Sequence, residues 1–356
     1  METSKLIKYP KEEYWQFLRG VAILFVVLSH CYGPKVLEQN KLVVSLSSIW
    51  YCLEVNFIST AVAIFFFISG YWAEKSYIRE ADTYYFCKKR VKRLFIPYIL
   101  YTSLYVVFRL LLRESFSLNT ILEILLLGRA CTPLYFLPVL IIYSIFTPVL
   151  CKLNQKKLLL ILACLIALIC WIGAFVSCLH GHQYAWFYLR YTPVWLPFYS
   201  WGISMASENR ITQSKITNNK DNLIYLIFFM ILCYILKITS MLLLISYCQL
   251  SQIMFSQLRL TAFAYSASII IFLNFVRKRI KHYPRIINFI GDYSFGIFFL
   301  HMFFIIPLGI MYSHFGWQFP IIFRYIQFII SILGSLIICQ IIYRVLDKKL
   351  CWIAGI

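Results

Sequence analysis

Ten apolar runs follow one another through this chain almost without pause, each close to the roughly 20 residues a helix needs to cross a ~30 Å hydrocarbon core. They fall near Tyr14–Tyr32, Ile49–Trp72, Leu94–Leu112, Pro133–Leu150, Leu158–Leu179, Thr192–Ala206, Leu223–Ser246, Leu260–Val276, Ile287–Tyr312 and Ile321–Leu346. The polar intervals between them are connectors, too short to fold as a water-soluble domain. Charged residues make up 13% of the 356 and hydrophobic residues 61%, whereas a soluble domain carries roughly 25% charged residues. The expectation is an all-α integral membrane protein of about ten transmembrane helices, with residues 1–356 forming a single membrane-embedded domain and no separate soluble domain. The first run is long for a secretory signal and no small-residue cleavage site follows it, so it is read as the first helix. No sustained internal repeat is visible, which disfavours repeat-built transporter folds.

A net charge of +20 would suggest nucleic acid in a soluble protein, so its distribution matters more than its size. Starting inside and alternating, the cytoplasmic segments hold Lys5, Lys8, Lys11 and Arg19; Lys75, Arg79, Lys88, Lys89, Arg90, Lys92 and Arg93; and Lys152, Lys156 and Lys157. Later segments hold Arg210, Lys215 and Lys220; Arg277, Lys278, Arg279, Lys281 and Arg285; and Arg344, Lys348 and Lys349. Most of the 34 basic residues thus fall on one side, as the positive-inside rule requires when both termini are cytoplasmic and the helix number is even. The partner of this charge is the bilayer, and no nucleic acid is expected. The twelve cysteines show no metal-ligand spacing and are read as small hydrophobes.

Three strings carry residue types suited to chemistry. In the first helix, FLRGVAILFVVLSH (Phe17–His30) places Arg19 and His30 eleven residues apart. At 100° per residue they share one face, separated by roughly 16 Å along the axis. Arg19 is expected near the cytoplasmic interface and His30 deep, where an ionisable group is costly unless it serves a site; a packing histidine and an anchoring arginine are the alternatives. The second string is KKRVKRLFIP, which brings Lys88, Lys89, Arg90, Lys92 and Arg93 to the inner face before an apolar helix. Such a cluster suits phosphate, and it equally suits a topology anchor or anionic lipid headgroups. The third is FIGDYSFGIFFLH, with Ser294 and His301 on one helix and His301 at a depth similar to His30. Two imidazoles at one depth can frame one site, with His301 alternatively a packing residue. Glu54, Arg109 and Lys237 also fall inside or near the ends of apolar runs, with Glu123 and Arg129 flanking a short one. Charges at depth face a cavity or each other, and Glu54 is placed to orient an imidazole or line an acceptor path. His180 and His182 lack a third ligand nearby and are read as loop, with no metal site expected.

Together these strings resemble the acyltransferase-3 family, membrane O-acyltransferases of bacterial surface polysaccharides and related molecules. The likeness runs over essentially the whole chain. Arg19-Gly20 to His30 is similar to the family's Arg-x10-His motif, and FFFISGY (Phe65–Tyr71) to its FFxxSGF-like stretch. The basic run before the third helix is similar to its R-x-x-x-R cluster, here Lys89/Arg93 with Arg90 adjacent and Pro97 following. PLYFL (Pro133–Leu137) resembles an aromatic "WFL" opening with Tyr135 in place of Trp. Ser294–His301 resembles SYxIYLxH with Phe298 in place of Tyr.

The resemblance implies transfer of an acyl group, most often acetyl from acetyl-CoA, to a hydroxyl of an extracytoplasmic glycan or glycolipid at the inner (cytoplasmic) membrane of the cell. No bound cofactor is expected, with acyl-CoA as donor substrate, a glycan or lipid-linked saccharide as acceptor and polysaccharide-synthesis proteins as candidate partners. Lys89, Arg90 and Arg93 would seat the donor phosphates at the inner face. Its arm would run along the first helix to His30, acting as general base or as transient acyl carrier, with Arg19 holding the donor. Tyr135, Ser294, His301 and Glu54 would line the site. Because the sequence stops just after the tenth helix, direct acylation of the acceptor or hand-over to a separate protein are the expectations. A transporter or flippase for a polysaccharide or lipid-linked intermediate, and an assembly partner in a synthesis complex, are the competing classes.

Overall fold

Within hydrocarbon every backbone N–H and C=O must be satisfied by the chain itself, and long apolar runs meet that demand as helices. The computed structural model describes residues 13–34, 37–38, 41–42, 45–80, 82–156, 158–182, 184–211, 221–246, 256–277, 279–280, 282–316, 319–346 and 350–355. Over these residues the helices are α1 (Glu13–His30), α2 (Leu46–Ile58), α3 (Ala61–Glu80), α4 (Thr83–Leu111), α5 (Leu118–Leu127), α6 (Phe136–Gln155) and α7 (Leu159–Leu179). They continue as α8 (Tyr184–Tyr188), α9 (Leu196–Ile211), α10 (Asp221–Ser246), α11 (Leu260–Val276), α12 (Arg285–Asp292), α13 (Ser294–Phe315) and α14 (Pro320–Val345). A two-residue antiparallel ladder, β1 (Leu37–Glu38) with β2 (Lys41–Leu42), precedes α2. The architecture is that of an all-helical, multi-pass membrane protein. Among the described residues, seven helical segments are long and apolar enough to cross a membrane by length and composition, one of them Leu46–Glu80, which joins α2 and α3.

Each predicted run contains helix, with three refinements. Ile49–Trp72 breaks at Ser59 and Thr60, where α2 gives way to α3. Ile287–Tyr312 breaks at Tyr293 between α12 and α13. Thr192–Ala206 opens as a 3-10 turn at Pro193–Trp195 and continues through α9 to Ile211; its two prolines sit where the missing N–H has no intrahelical partner to lose. Of the basic residues assigned to the inner face, Lys5, Lys8, Lys11, Lys157, Lys215, Lys220, Lys278, Lys281, Lys348 and Lys349 lie outside the described residues, as does the side chain of Arg210.

The outward faces carry what lipid requires. On α7, Ile161, Leu165, Ile169 and Ile172 are exposed at helical spacing, and on α10 so are Ile224, Phe228, Ile231 and Ile235. The inner helices instead approach closely through glycine, as expected where dispersion and backbone proximity drive association. A Cβ on Gly20 of α1 would collide with the Ile287 carbonyl oxygen of α12, and one on Gly291 would collide with the Gln16 carbonyl of α1. The same reciprocity joins α3 and α9: a Cβ on Gly70 would strike the Tyr199 carbonyl, and one on Gly202 the Phe67 carbonyl. Because the obstacles are backbone, neither crossing can absorb a side chain without moving a helix. Gly70→Val is expected to destabilise the protein by about 3 kcal/mol, the upper end for overpacking. Gly173→Val, whose Cβ meets nothing within 4 Å, is the control; thermal melts in detergent followed by size-exclusion recovery compare the two.

Candidate active site

Helix α1 runs past two cavities at successive depths. The first, about 480 Å³, is lined by Arg19 of α1, by Arg79 of α3, by Lys89, Arg90 and Arg93 of α4, and by Asp292 and Ser294 where α12 meets α13. The second, about 490 Å³, is lined by Val26, Ser29 and His30 of the same helix, with Tyr51, Ser59, Tyr135, Trp186 and Arg190 around it. Phe65, Phe136 and Phe298 line both. Their rings pack around Phe136, with centroids 6.2 Å away for Phe65 and 5.8 Å for Phe298. The phenylalanines therefore stand where the basic cavity meets the histidine cavity.

The cations of the first cavity are not equivalent. Arg90 is anchored, its Nε donating to Ser144 Oγ (3.1 Å) and its Nη2 to the Ser69 carbonyl (3.0 Å). Lys89 is paired with Glu80, which Arg79 also approaches at 3.7 Å. Asp292 is the acidic neighbour of Arg19, whose other charged neighbours are Arg90 and Arg93. Arg93 makes no hydrogen bond or ion pair with the described residues, and Arg79 and Arg90 are the charges next to it. Positive charge is thus in excess, and the Arg93 fork is the member free to take an anion. Trp352 closes this cavity. It lies on a 3-10 turn (Cys351–Ala354) that folds back after α14, held by the Tyr101 hydroxyl donating to the Ala354 carbonyl at 3.0 Å.

In the second cavity His30 faces His301 at a ring-centroid distance of 5.5 Å. His301 is completely buried. Its Nδ1 lies 3.0 Å from the Ile297 carbonyl, which can only accept, so this nitrogen carries the proton. Its Nε2 is then a lone-pair acceptor, and it has no hydrogen-bond partner among the described residues. Arg190 stacks on Tyr135 (5.1 Å) and on Phe187 (4.3 Å), and its Nε donates to the Phe187 carbonyl at 3.0 Å. Tyr191, beside Tyr135, has its hydroxyl pushed up by burial against the pull of Arg190 and Arg129. It remains a neutral phenol at physiological pH and is no competitor as base.

Glu54 takes a different place from the one its position in the sequence suggested. Its two oxygens accept from Arg324 Nε (2.6 Å) and from the Tyr325 hydroxyl (2.7 Å), and it does not line the histidine cavity. The same guanidinium donates through Nη1 to the carbonyls of Cys31 and Tyr32, while Gln327 Oε1 accepts from the Tyr32 N–H at 2.8 Å. Glu54 therefore acts on His30 through Arg324, which fixes the end of the helix that carries the imidazole. Of the other charges near the ends of apolar runs, Arg109 pairs with Glu114 and Arg129 with Glu123, whereas Lys237 is held by the Asn56 carbonyl and Ser59 Oγ.

Sequence reasoning singled out Arg19, Lys89, Arg90, Arg93 and Ser294, which the structure places at one cavity, and His30 and Tyr135, which it places at the next, with His301 facing His30. It missed Arg79 as a lining group, Asp292, Trp352 and Arg190. Asp292 had a signal, being the lone carboxylate in an otherwise apolar string; Arg190 and Trp352 sit in connectors with no periodicity to mark them.

A family model described as an acyltransferase domain matches residues 12–344. The chain belongs to the acyltransferase-3 family. No match was found among curated proteins or among solved structures. Membership makes this protein a membrane acyltransferase.

Arg324→Gln, which strands the Glu54 carboxylate in the protein, is expected to cost roughly 3 kcal/mol, and Glu54→Gln added to it should recover part of the loss in a thermal melt.

Proposed function

We propose that this acyltransferase moves an acyl group, in the simplest case acetyl from acetyl-CoA, to a hydroxyl of an extracytoplasmic glycan or lipid-linked saccharide, with His30 as general base. The observation that carries the reading is the pair of cavities on α1, the first rich in cations and the second holding His30, meeting at Phe65, Phe136 and Phe298. An acyl-CoA has a phosphate-bearing nucleotide, a long thin arm and a thioester at its tip. The phosphates would rest on Arg93, with Arg19, Arg79, Lys89 and Arg90 supplying the surrounding potential. The arm would pass the phenylalanines and present the thioester carbon beside His30.

There the imidazole takes the proton of the acceptor hydroxyl as its oxygen attacks the thioester carbonyl carbon. The tetrahedral intermediate collapses, the carbon–sulfur bond breaks, and the proton passes from the imidazolium to the departing thiolate, giving ester and free CoA. His301 is a positioning residue in this scheme. With Nδ1–H committed to Ile297, its Nε2 can accept from the facing nitrogen of His30, which would leave the other nitrogen unprotonated and ready as base. Ten membrane spans, cytoplasmic termini and a single unit over residues 1–356 in the cytoplasmic membrane would put the basic cavity on the side where acyl-CoA is made. The acceptor, and any polysaccharide-synthesis partner, would then meet the other cavity. The family match favours this over a transporter.

The test uses purified protein in lipid vesicles with radiolabelled acetyl-CoA and crude surface glycan. Wild type is expected to transfer label, and His30→Ala, inserted and monodisperse, should lose roughly 10²- to 10⁴-fold in rate. Transfer by His30→Ala at the wild-type rate would overturn the assignment.

A further inference from the structure

The histidine cavity carries a charge that the general-base chemistry does not use. Among its lining residues there is no Asp or Glu. Among its described lining residues Arg190 is the cation, and its position is built: the guanidinium lies over the rings of Tyr135 and Phe187, and Nε is fixed by the Phe187 carbonyl. Nη1 and Nη2 donate to no described residue, so the outer edge of the fork is presented without a partner.

Two further basic side chains lie just behind the wall. Lys237 is fully buried, its Nζ donating to Ser59 Oγ and to the Asn56 carbonyl, each at 2.6 Å. Arg259, nearly as buried, donates to Asn56 Oδ1 (2.6 Å), Ser240 Oγ (3.0 Å) and the carbonyls of Lys237 and Ser256. Ser59 and Ser256 are themselves lining residues. Every one of these partners is a neutral oxygen, so hydrogen bonding is satisfied while the guanidinium charge of Arg259 goes uncompensated among the described residues. By contrast, the nearby Arg324–Glu54 and Arg129–Glu123 pairs each cancel. In a low-dielectric surround, uncancelled charge reaches much farther than it does in water.

We propose that the acceptor is an anionic saccharide, carrying a carboxylate or phosphate close to the reacting hydroxyl, and that Arg190 binds that group while Arg259 adds to the positive potential of the cavity. A planar fork with two free N–H edges matches either oxyanion bidentately. The inference rests on the reading of this cavity as the acceptor side of an acyltransferase and narrows the acceptor to one charge class. Arg190 is thus a specificity residue for the acceptor.

The experiment takes the same vesicle assay and treats the crude surface glycan in two ways: carboxyl reduction to remove uronate charge, and aqueous hydrofluoric acid to remove phosphodiesters. One of the two treatments is expected to lower transfer by wild type at least tenfold, which identifies the source of the charge. Arg190→Gln should raise the half-saturating concentration of untreated glycan at least tenfold with kcat within about threefold, should no longer respond to the treatment, and should be partly rescued in Arg190→Lys. Equal transfer to untreated and to both treated glycans would overturn the proposal. A fall in kcat without change in half-saturation would also overturn it, by assigning Arg190 to the developing oxyanion of the thioester. Either result leaves the acyltransferase reading standing, whereas absence of transfer by wild type to any glycan would remove that reading and this inference together.

Discussion

A guanidinium and a carboxylate buried together in hydrocarbon cannot be left half made, because the stranded partner has no water to turn to. Arg324 and Glu54 form such a pair, the arginine fully buried. The consequence reaches beyond the pair itself. Nη1 of Arg324 takes the carbonyls of Cys31 and Tyr32, groups that the end of a helix leaves without intrahelical partners. Three helices, α1, α2 and α14, are thereby tied at one point. The residue immediately before that point is His30. Its place in the second cavity is set by an interaction that has no part in the chemistry.

At the other end, α1 is held by a steric constraint. Gly20 and Gly291 let α1 and α12 approach until backbone meets backbone, which brings Asp292 beside Arg19. Gly70 and Gly202 do the same for α3 and α9. The core packed around these helices includes stacked rings: Phe66 on Trp195, Trp195 on Phe263, Tyr105 on Phe303 and Tyr101 on Phe299. Large rings have few rotamers and pack with defined geometry, which stiffens the core in which the cavities lie. A helix fixed at both ends and walled by aromatics is a suitable ruler for a donor whose phosphates and reacting carbon are far apart.

The two cavities also divide the electrostatics. In the proposed mechanism the donor's anionic groups attach where Arg19, Arg79, Lys89, Arg90 and Arg93 gather, and proton transfer takes place beyond the phenylalanines. A bilayer enzyme that joins a donor from one side to an acceptor from the other must keep the two aqueous phases apart. An apolar constriction lets a slender acyl arm through while a solvated phosphate would lose its hydration there. Under the proposed acceptor specificity, the positive potential that Arg190 and Arg259 give the second cavity selects what enters from the acceptor side.

How much of this was legible in the sequence can be argued residue by residue. The ten apolar runs declared a helical membrane protein, because nothing but helix satisfies so much backbone in lipid, and the seven segments long enough to span agree with that reading. The spacing of Arg19 and His30 fixed their shared face and axial separation, since both depend only on helix geometry, and the KKRVKR string announced an excess of cations. The sequence could not tell which cations are spent: Lys89 is paired to Glu80 and Arg90 to Ser144 and Ser69, across elements whose packing no local pattern encodes. Nor could it set Glu54 against Arg324, 270 residues away, or bring Arg190 from a connector to face His30. Periodicity is a property of one helix, and it determined what each helix presents. Which helix meets which, and so which charges cancel and which are left to act, was decided only when glycine crossings and buried ion pairs fixed the tertiary structure.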